Sequence, residues 1–140
     1  MTPREGEERR ARALEGMVVL DATQIMAGPF CTLLLADMGA DVIKVERPDG
    51  GDDTRRMGPP FIAGESAAFL AMNRDKGSLA LNLKTEEGKD LFRRLARRAD
   101  VLVENFRPGT MEKLGLGYEA VREVNPGMIY CSISGFGQTG

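Results

Sequence analysis

Residues 18–48, VVLDATQIMAGPFCTLLLADMGADVIKVERP, constrain the fold more than any other stretch. Val18, Val19 and Leu20 form a short apolar run that stops at Asp21, as a strand buried in a parallel sheet does. Gly28 and Pro29 open a helix, with the proline in the first turn, where its missing N–H costs nothing. Residues 30–38 are apolar nearly all round, which predicts a helix sandwiched between layers. Gly39 supplies a left-handed C-cap, and Val42, Ile43, Lys44 and Val45 begin a second strand. A β-α-β unit of this kind turns the helix N-terminus toward the carboxyl ends of the strands. Its unpaired N–H groups there suit a phosphate or a carboxylate.

Around this unit the chain alternates strands and helices. Residues 1–13 are polar and of mixed charge and read as a flexible lead-in, leaving residues 14–140 as the N-terminal part of one domain. After Glu46 the stretch RPDGGDDTRRMGPPFIAGES has no hydrophobic period and reads as a long functional or mobile loop. A short helix is expected over residues 67–72, ending at Asn73, and a third strand over 78–83. Thr85 caps the next helix, with Glu86 and Glu87 in its first turn and four arginines toward its end. Gly88, Leu91, Phe92, Leu95, Ala96 and Ala99 form its buried stripe. A fourth strand covers residues 100–104. Thr110 caps a short helix, a further one spans 118–124, and a fifth strand covers 128–134. The fold class is therefore α/β, a Rossmann-like parallel sheet with flanking helices. Its glycine-rich final loop, where another helix would follow, gives the expectation of a sheet cut short at its C-terminal side.

Composition narrows the function. The chain has 19 basic and 21 acidic residues, well mixed, so neither nucleic acid nor an anionic membrane surface is an expected partner. The cluster Arg93, Arg94, Arg97 and Arg98 reads as a solvated helix face. Histidine is absent, which removes Ser-His and Cys-His catalysis and most transition-metal sites from these residues. Cys31 and Cys131 have no metal-ligand spacing, so no metal site is expected. No apolar run reaches spanning length and the N-terminus is not signal-like, so the expected setting is cytoplasmic.

The carboxyl ends of the strands gather Arg47, Arg55, Arg56, Lys84, Arg107 and several glycines, a combination suited to a ligand with several phosphates. Glu46 stands where a ribose-binding acid would, but the first turn, QIMAGPF, lacks the glycine fingerprint of dinucleotide folds, and no P-loop occurs. Asp21 is the most tempting nucleophile, yet a carboxylate at a strand end more readily serves as a structural acceptor of backbone N–H groups.

The ordered set QIMAGP, GADVIKVERP, GDDTR, NRDKGSL, LNLKT, ADVLVENFRPG and SGFGQTG closely resembles the class III coenzyme A transferases, which include formyl-CoA:oxalate and carnitine-type enzymes. The likeness runs from about Leu14 to Gly140. The resemblance implies that coenzyme A or acyl-CoA is a substrate, with no tightly bound cofactor, and that two full-length chains interlock as a homodimer. It implies that Gln24, Ile25, Met26 and Ala27 border the thioester and acyl group. Arg47 would contact the nucleotide end, Leu81, Asn82, Leu83 and Lys84 would line the adenosine, Asn105, Phe106 and Arg107 would form another coenzyme-binding turn, and Lys113 would contact a phosphate.

The family's chemistry is covalent. An aspartate attacks the acyl-CoA thioester to give a mixed anhydride and CoA thiolate, an acceptor carboxylic acid takes over the acyl group, and a CoA thioester is rebuilt. No Asp of this sequence matches that nucleophile, which is expected beyond Gly140, so these residues alone are expected to show no turnover. Some members carry His at the position of Gln24 and Gln at that of Met26. Met26 cannot donate to a carbonyl, which argues against an oxalate-type substrate. Two alternatives stay open, an α-methylacyl-CoA racemase-like enzyme and a non-catalytic CoA-binding remnant. The donor and acceptor acids are not legible here.

Overall fold

The structure, a computed structural model, describes residues 11–139. Most of the expected lead-in, and Gly140, lie outside the described residues. Seven strands and five α-helices follow in order: β1 (Val18–Ala22), α1 (Ala27–Asp37), β2 (Asp41–Glu46), β3 (Phe61–Ile62), β4 (Glu65–Ser66), α2 (Ala67–Asn73), β5 (Lys76–Ala80), α3 (Glu86–Ala96), β6 (Val101–Glu104), α4 (Thr110–Lys113), α5 (Tyr118–Val124) and β7 (Ile129–Ser132).

Five strands form one parallel sheet in the order β5-β2-β1-β6-β7. The chain grows outward from β1 to β5, then crosses to the other side of β1 to lay down β6 and β7. This reversal between β1 and β6 is where a doubly wound sheet opens a crevice for ligands. Alternation along the strands sorts the core into two layers. Leu20, Ala22, Val45 and Leu102 pack against Phe92 and Ala96 of α3 and Val121 of α5. Val19, Val42, Val101 and Val103 pack against Ala36 on the α1 side. The expected α/β class with a parallel, Rossmann-like sheet is what the structure shows.

Four local expectations change. Helix α1 begins at Ala27, with Pro29 third in the helix but still among the N–H groups that lack a helical acceptor. It is not sandwiched: Met26, Phe30, Leu34 and Met38, at four-residue spacing, are exposed as one stripe. The third sheet strand covers Lys76–Ala80 rather than residues 78–83. Leu81 N–H still donates to Glu46 O, but Asn82 then turns the chain: its side chain accepts Lys84 N–H and its carbonyl accepts Thr85 N–H. In α3, Leu91 is exposed beside Leu79 because, among the described residues, β5 is the sheet's last strand on that side and none covers the helix beyond it. Finally, Gly109 rather than Thr110 precedes α4, in the left-handed conformation.

The long loop is ordered by internal bonds. It holds a 3-10 turn (Asp53–Arg56) capped by Asp52, and the β3-β4 hairpin. Thr85 caps α3 through Gly88 N–H, with Glu86 and Glu87 in the first turn, as its sequence predicts.

Candidate functional site

The connections that follow β1 and β6 meet at the crevice. After β1, Gln24 is held by a two-way amide clamp: its N–H donates to Asn105 Oδ1 at 2.8 Å, and Asn105 Nδ2 donates to Gln24 O at 2.9 Å. Asn105 stands directly after β6, so parallel pairing of β1 and β6 brings these two loops into register. Ile25 follows with a φ of 71°, a left-handed conformation that is rare for a β-branched residue. Its N–H donates to both carboxylate oxygens of Asp52, at 3.1 and 3.2 Å.

Two adjoining hollows open here. One, of about 370 Å³, is lined by Gln24, Ile25, Met26, Ala27, Asn105, Phe106 and Arg107. The other, of about 510 Å³, runs from Gln24 and Phe106 past Arg47, Pro48 and Asp49 to the Leu81–Lys84 segment and α4. Gln24 and Phe106 belong to both. The structure thus brings twelve of the thirteen sequence-predicted residues to one continuous surface. Lys113 is exposed and does not line either hollow; its helix contributes Thr110 and Leu114 instead. Sequence reading missed those two, because their role depends on how α4 packs rather than on a motif.

Charge at this edge is partly spent within the protein. Arg47 donates to Gly51 O and to Asp53 while staying half exposed. Arg55 makes a bidentate pair with Glu46, both contacts at 2.7 Å, and lies 3.7 Å over the Phe69 ring. Glu46 also accepts from Asp52 N–H and Ser78 Oγ. Burial alone would raise the Glu46 pKa, but these donors hold the carboxyl down at about 2. With every acceptor site engaged, Glu46 has none to offer a ribose. That supplies the physical reason against a dinucleotide reading. Lys84 and Arg107 are exposed, Lys84 on the wall of the larger hollow and Arg107 on that of the smaller.

Beneath the loops lies a buried ionic layer on the α1 side of the sheet. Asp21, fully buried, accepts from Thr23 N–H and Oγ1, from Thr32 Oγ1 and from Lys76 Nζ at 3.1 Å. Its oxygens are engaged inside the protein, so it serves as a structural acid. Burial lowers the Lys76 pKa against the pull of Asp21. Lys44, 1% exposed, pairs with Asp52 at 2.9 Å and donates to Thr23 O. Burial works against ionisation of Asp52, but the Thr54 N–H and Lys44 hold its pKa below the ordinary range. A lysine amid Val42, Ile43 and Val45 was the sequence signal for this layer.

Among the described residues no group of three or more His, Cys, Asp or Glu side chains could hold a metal, and no helix is long and apolar enough to cross a membrane.

Comparisons with known proteins identify the family. The family model described as CoA-transferase family III matches residues 14–140. The chain is 53% identical over 129 residues to human succinyl-CoA:glutarate CoA-transferase, covering 92% of this chain and 30% of that protein. It is 55% identical over 137 residues to succinate–glutarate CoA-transferase of Agrobacterium fabrum, covering 94% and 34%. It is 57% identical over 130 residues to succinyl-CoA:mesaconate CoA-transferase of Haloarcula marismortui, covering 89% and 32%. Among solved structures, a CAIB/BAIF family protein from Brucella suis superposes with a TM-score of 0.89 at 50% identity, over 94% of this chain and 35% of that one. The chain therefore spans about a third of the length of the relatives it matches. With the family model covering residues 14–140 and the topology shared with a relative of known structure, this chain belongs to CoA-transferase family III.

Proposed function

We propose that this chain is the coenzyme-binding N-terminal part of a CoA-transferase that moves coenzyme A between carboxylic acids. The observation that carries it is the convergence of Gln24–Ala27, Arg47, Leu81–Lys84 and Asn105–Arg107 on one surface at the β1/β6 switch. The larger hollow, walled by Leu81, Leu83 and Leu114 with Arg47 and Lys84 at its rim, suits an adenine ring and its phosphates. The smaller one, beside Met26 and Ala27, suits the thioester end. A nucleophilic aspartate from a part of the relatives that this chain does not span opens the thioester, releasing CoA thiolate as the mixed anhydride forms. The whole enzyme works as a homodimer in the cytoplasm, needs no tightly bound cofactor, and uses Lys113 on a phosphate in its assembled form. Dicarboxylates are the first substrates to test, since the human and Agrobacterium relatives are named for succinate and glutarate.

The test is calorimetric titration of the intact protein with CoA and with pantetheine, together with a transfer assay from succinyl-CoA to glutarate. Arg47→Ala and Lys84→Ala each remove a charge-assisted contact, worth about 1.5–3 kcal/mol, so CoA affinity falls at least about tenfold while pantetheine binding holds. CoA affinity indifferent to both substitutions overturns the assignment.

A further inference from the structure

We infer that Asp52, ion-paired to the buried Lys44, is a positioning residue that holds the Gln24–Ala27 loop in its working shape. The inference rests on the reading above, in which that loop borders the thioester. Ile25 is the strained point of the loop. Its side chain is 41% exposed, so packing does little to fix its backbone at a φ of 71°. An unconstrained isoleucine leaves the left-handed region, where Cβ crowds the following carbonyl oxygen. What opposes this is the pair of contacts from Ile25 N–H to the Asp52 carboxylate, 27 residues away in sequence.

Asp52 is itself immobilised from every side. Thr54 N–H and Thr54 Oγ1 donate to Oδ1, Lys44 Nζ meets Oδ2, and the Asp52 N–H is taken by Glu46. Lys44 closes the ring by donating to Thr23 O, two residues before Ile25. Asn105 fixes Gln24 between them. The loop is thus pinned at Thr23, Gln24 and Ile25 by three side chains: Lys44 within β2, Asp52 in the connection after β2, and Asn105 directly after β6. Lys44 and Asp52 are each 1% exposed, so neither is placed to touch a substrate. They act through the loop, and the function of the long Gly- and Asp-rich connection after β2 is to deliver Asp52 beneath it.

The test uses the intact protein and a glycine rescue. Lys44→Met with Asp52→Ala removes both charges together, so no buried ion is left unpaired. We expect kcat for CoA transfer to fall roughly tenfold, the factor that corresponds to about 1.4 kcal/mol and to the size of a left-handed backbone penalty. CoA affinity, set by the nucleotide end, stays within about twofold. Adding Ile25→Gly restores most of the rate, because glycine adopts positive φ without strain. Loss of rate that glycine does not recover, an unchanged rate, or CoA affinity falling in step with kcat overturns the inference. Amide exchange in the unsubstituted protein needs no variant: a protected Ile25 N–H supports the clamp, and one that exchanges as fast as an open loop overturns it. A wild-type protein that transfers no CoA refutes the underlying reading instead, so the two failures are told apart.

Discussion

Replacing Glu46 with Gln tests the ion pair that joins the sheet to its long loop. Glu46 receives Arg55 through two nitrogens, Ser78 Oγ at 2.6 Å and Asp52 N–H at 2.9 Å, and its side chain is 3% exposed. A carboxyl held at about 2 in the folded protein, against its ordinary 4.5, contributes about 3 kcal/mol at neutral pH. Solvent reaches Arg55, which is 30% exposed, and trims the expected loss in Glu46→Gln to about 2 kcal/mol. The sign follows from linkage. The folded pKa lies below the unfolded one, so the contribution is complete above pH 4.5 and disappears as pH falls toward 2. Urea unfolding of the two proteins between pH 7 and pH 3 reads this directly. The variant is less stable at pH 7, and the gap closes steadily below pH 4.5. A gap that stays constant through the acid range refutes the reasoning, since the loss would then come from packing and not from charge.

Two further substitutions probe the packing around the site. In Gly88→Ala the new Cβ would stand 1.9 Å from the carbonyl oxygen of Asn82, a backbone atom that cannot move freely. Overpacking of this kind outweighs the helix-propensity gain of about 1 kcal/mol, so we expect a net loss of about 2 kcal/mol, a lower Tm and weaker CoA binding through displaced Asn82; an unchanged Tm refutes it. Tyr130 carries a buried hydroxyl with no hydrogen-bond partner among the described residues and packs edge-on against Tyr118 at 5.9 Å. Burial raises its pKa, Glu104 and Glu112 adding to the effect, and Tyr130→Phe removes the desolvated group, raising stability by about 1 kcal/mol in a thermal melt. A lower melting temperature would show that the hydroxyl is paired.

The open stripe of Met26, Phe30, Leu34 and Met38 explains why the expected sandwiched helix is half right. Leu33 and Ala36 of the same helix are buried against the sheet, and apolar residues on the other face look the same in sequence whether or not a layer covers them. The β3-β4 hairpin and the 3-10 turn left no mark in the hydrophobic pattern, because bonds to Glu46, Asp52 and Met57 hold that stretch rather than an apolar face. The Glu46–Arg55 pair takes up two charges expected at a ligand edge, leaving Arg47, Lys84 and Arg107 as exposed cations lining the two hollows.

By itself the sequence determined the parallel α/β order, the capped α3 and the segments that meet at the site. Each is written in short-range terms, whether apolar runs, a Thr with Glu behind it, or a family motif read in sequence order. Only the tertiary structure decided which polar groups are paired. Gln24 finds Asn105 at a separation of 81 residues, Lys76 finds Asp21 at 55, and Ile25 finds Asp52 at 27. Strand order sets those partnerships, and strand order follows from the reversal beside β1, which no local pattern of residues encodes.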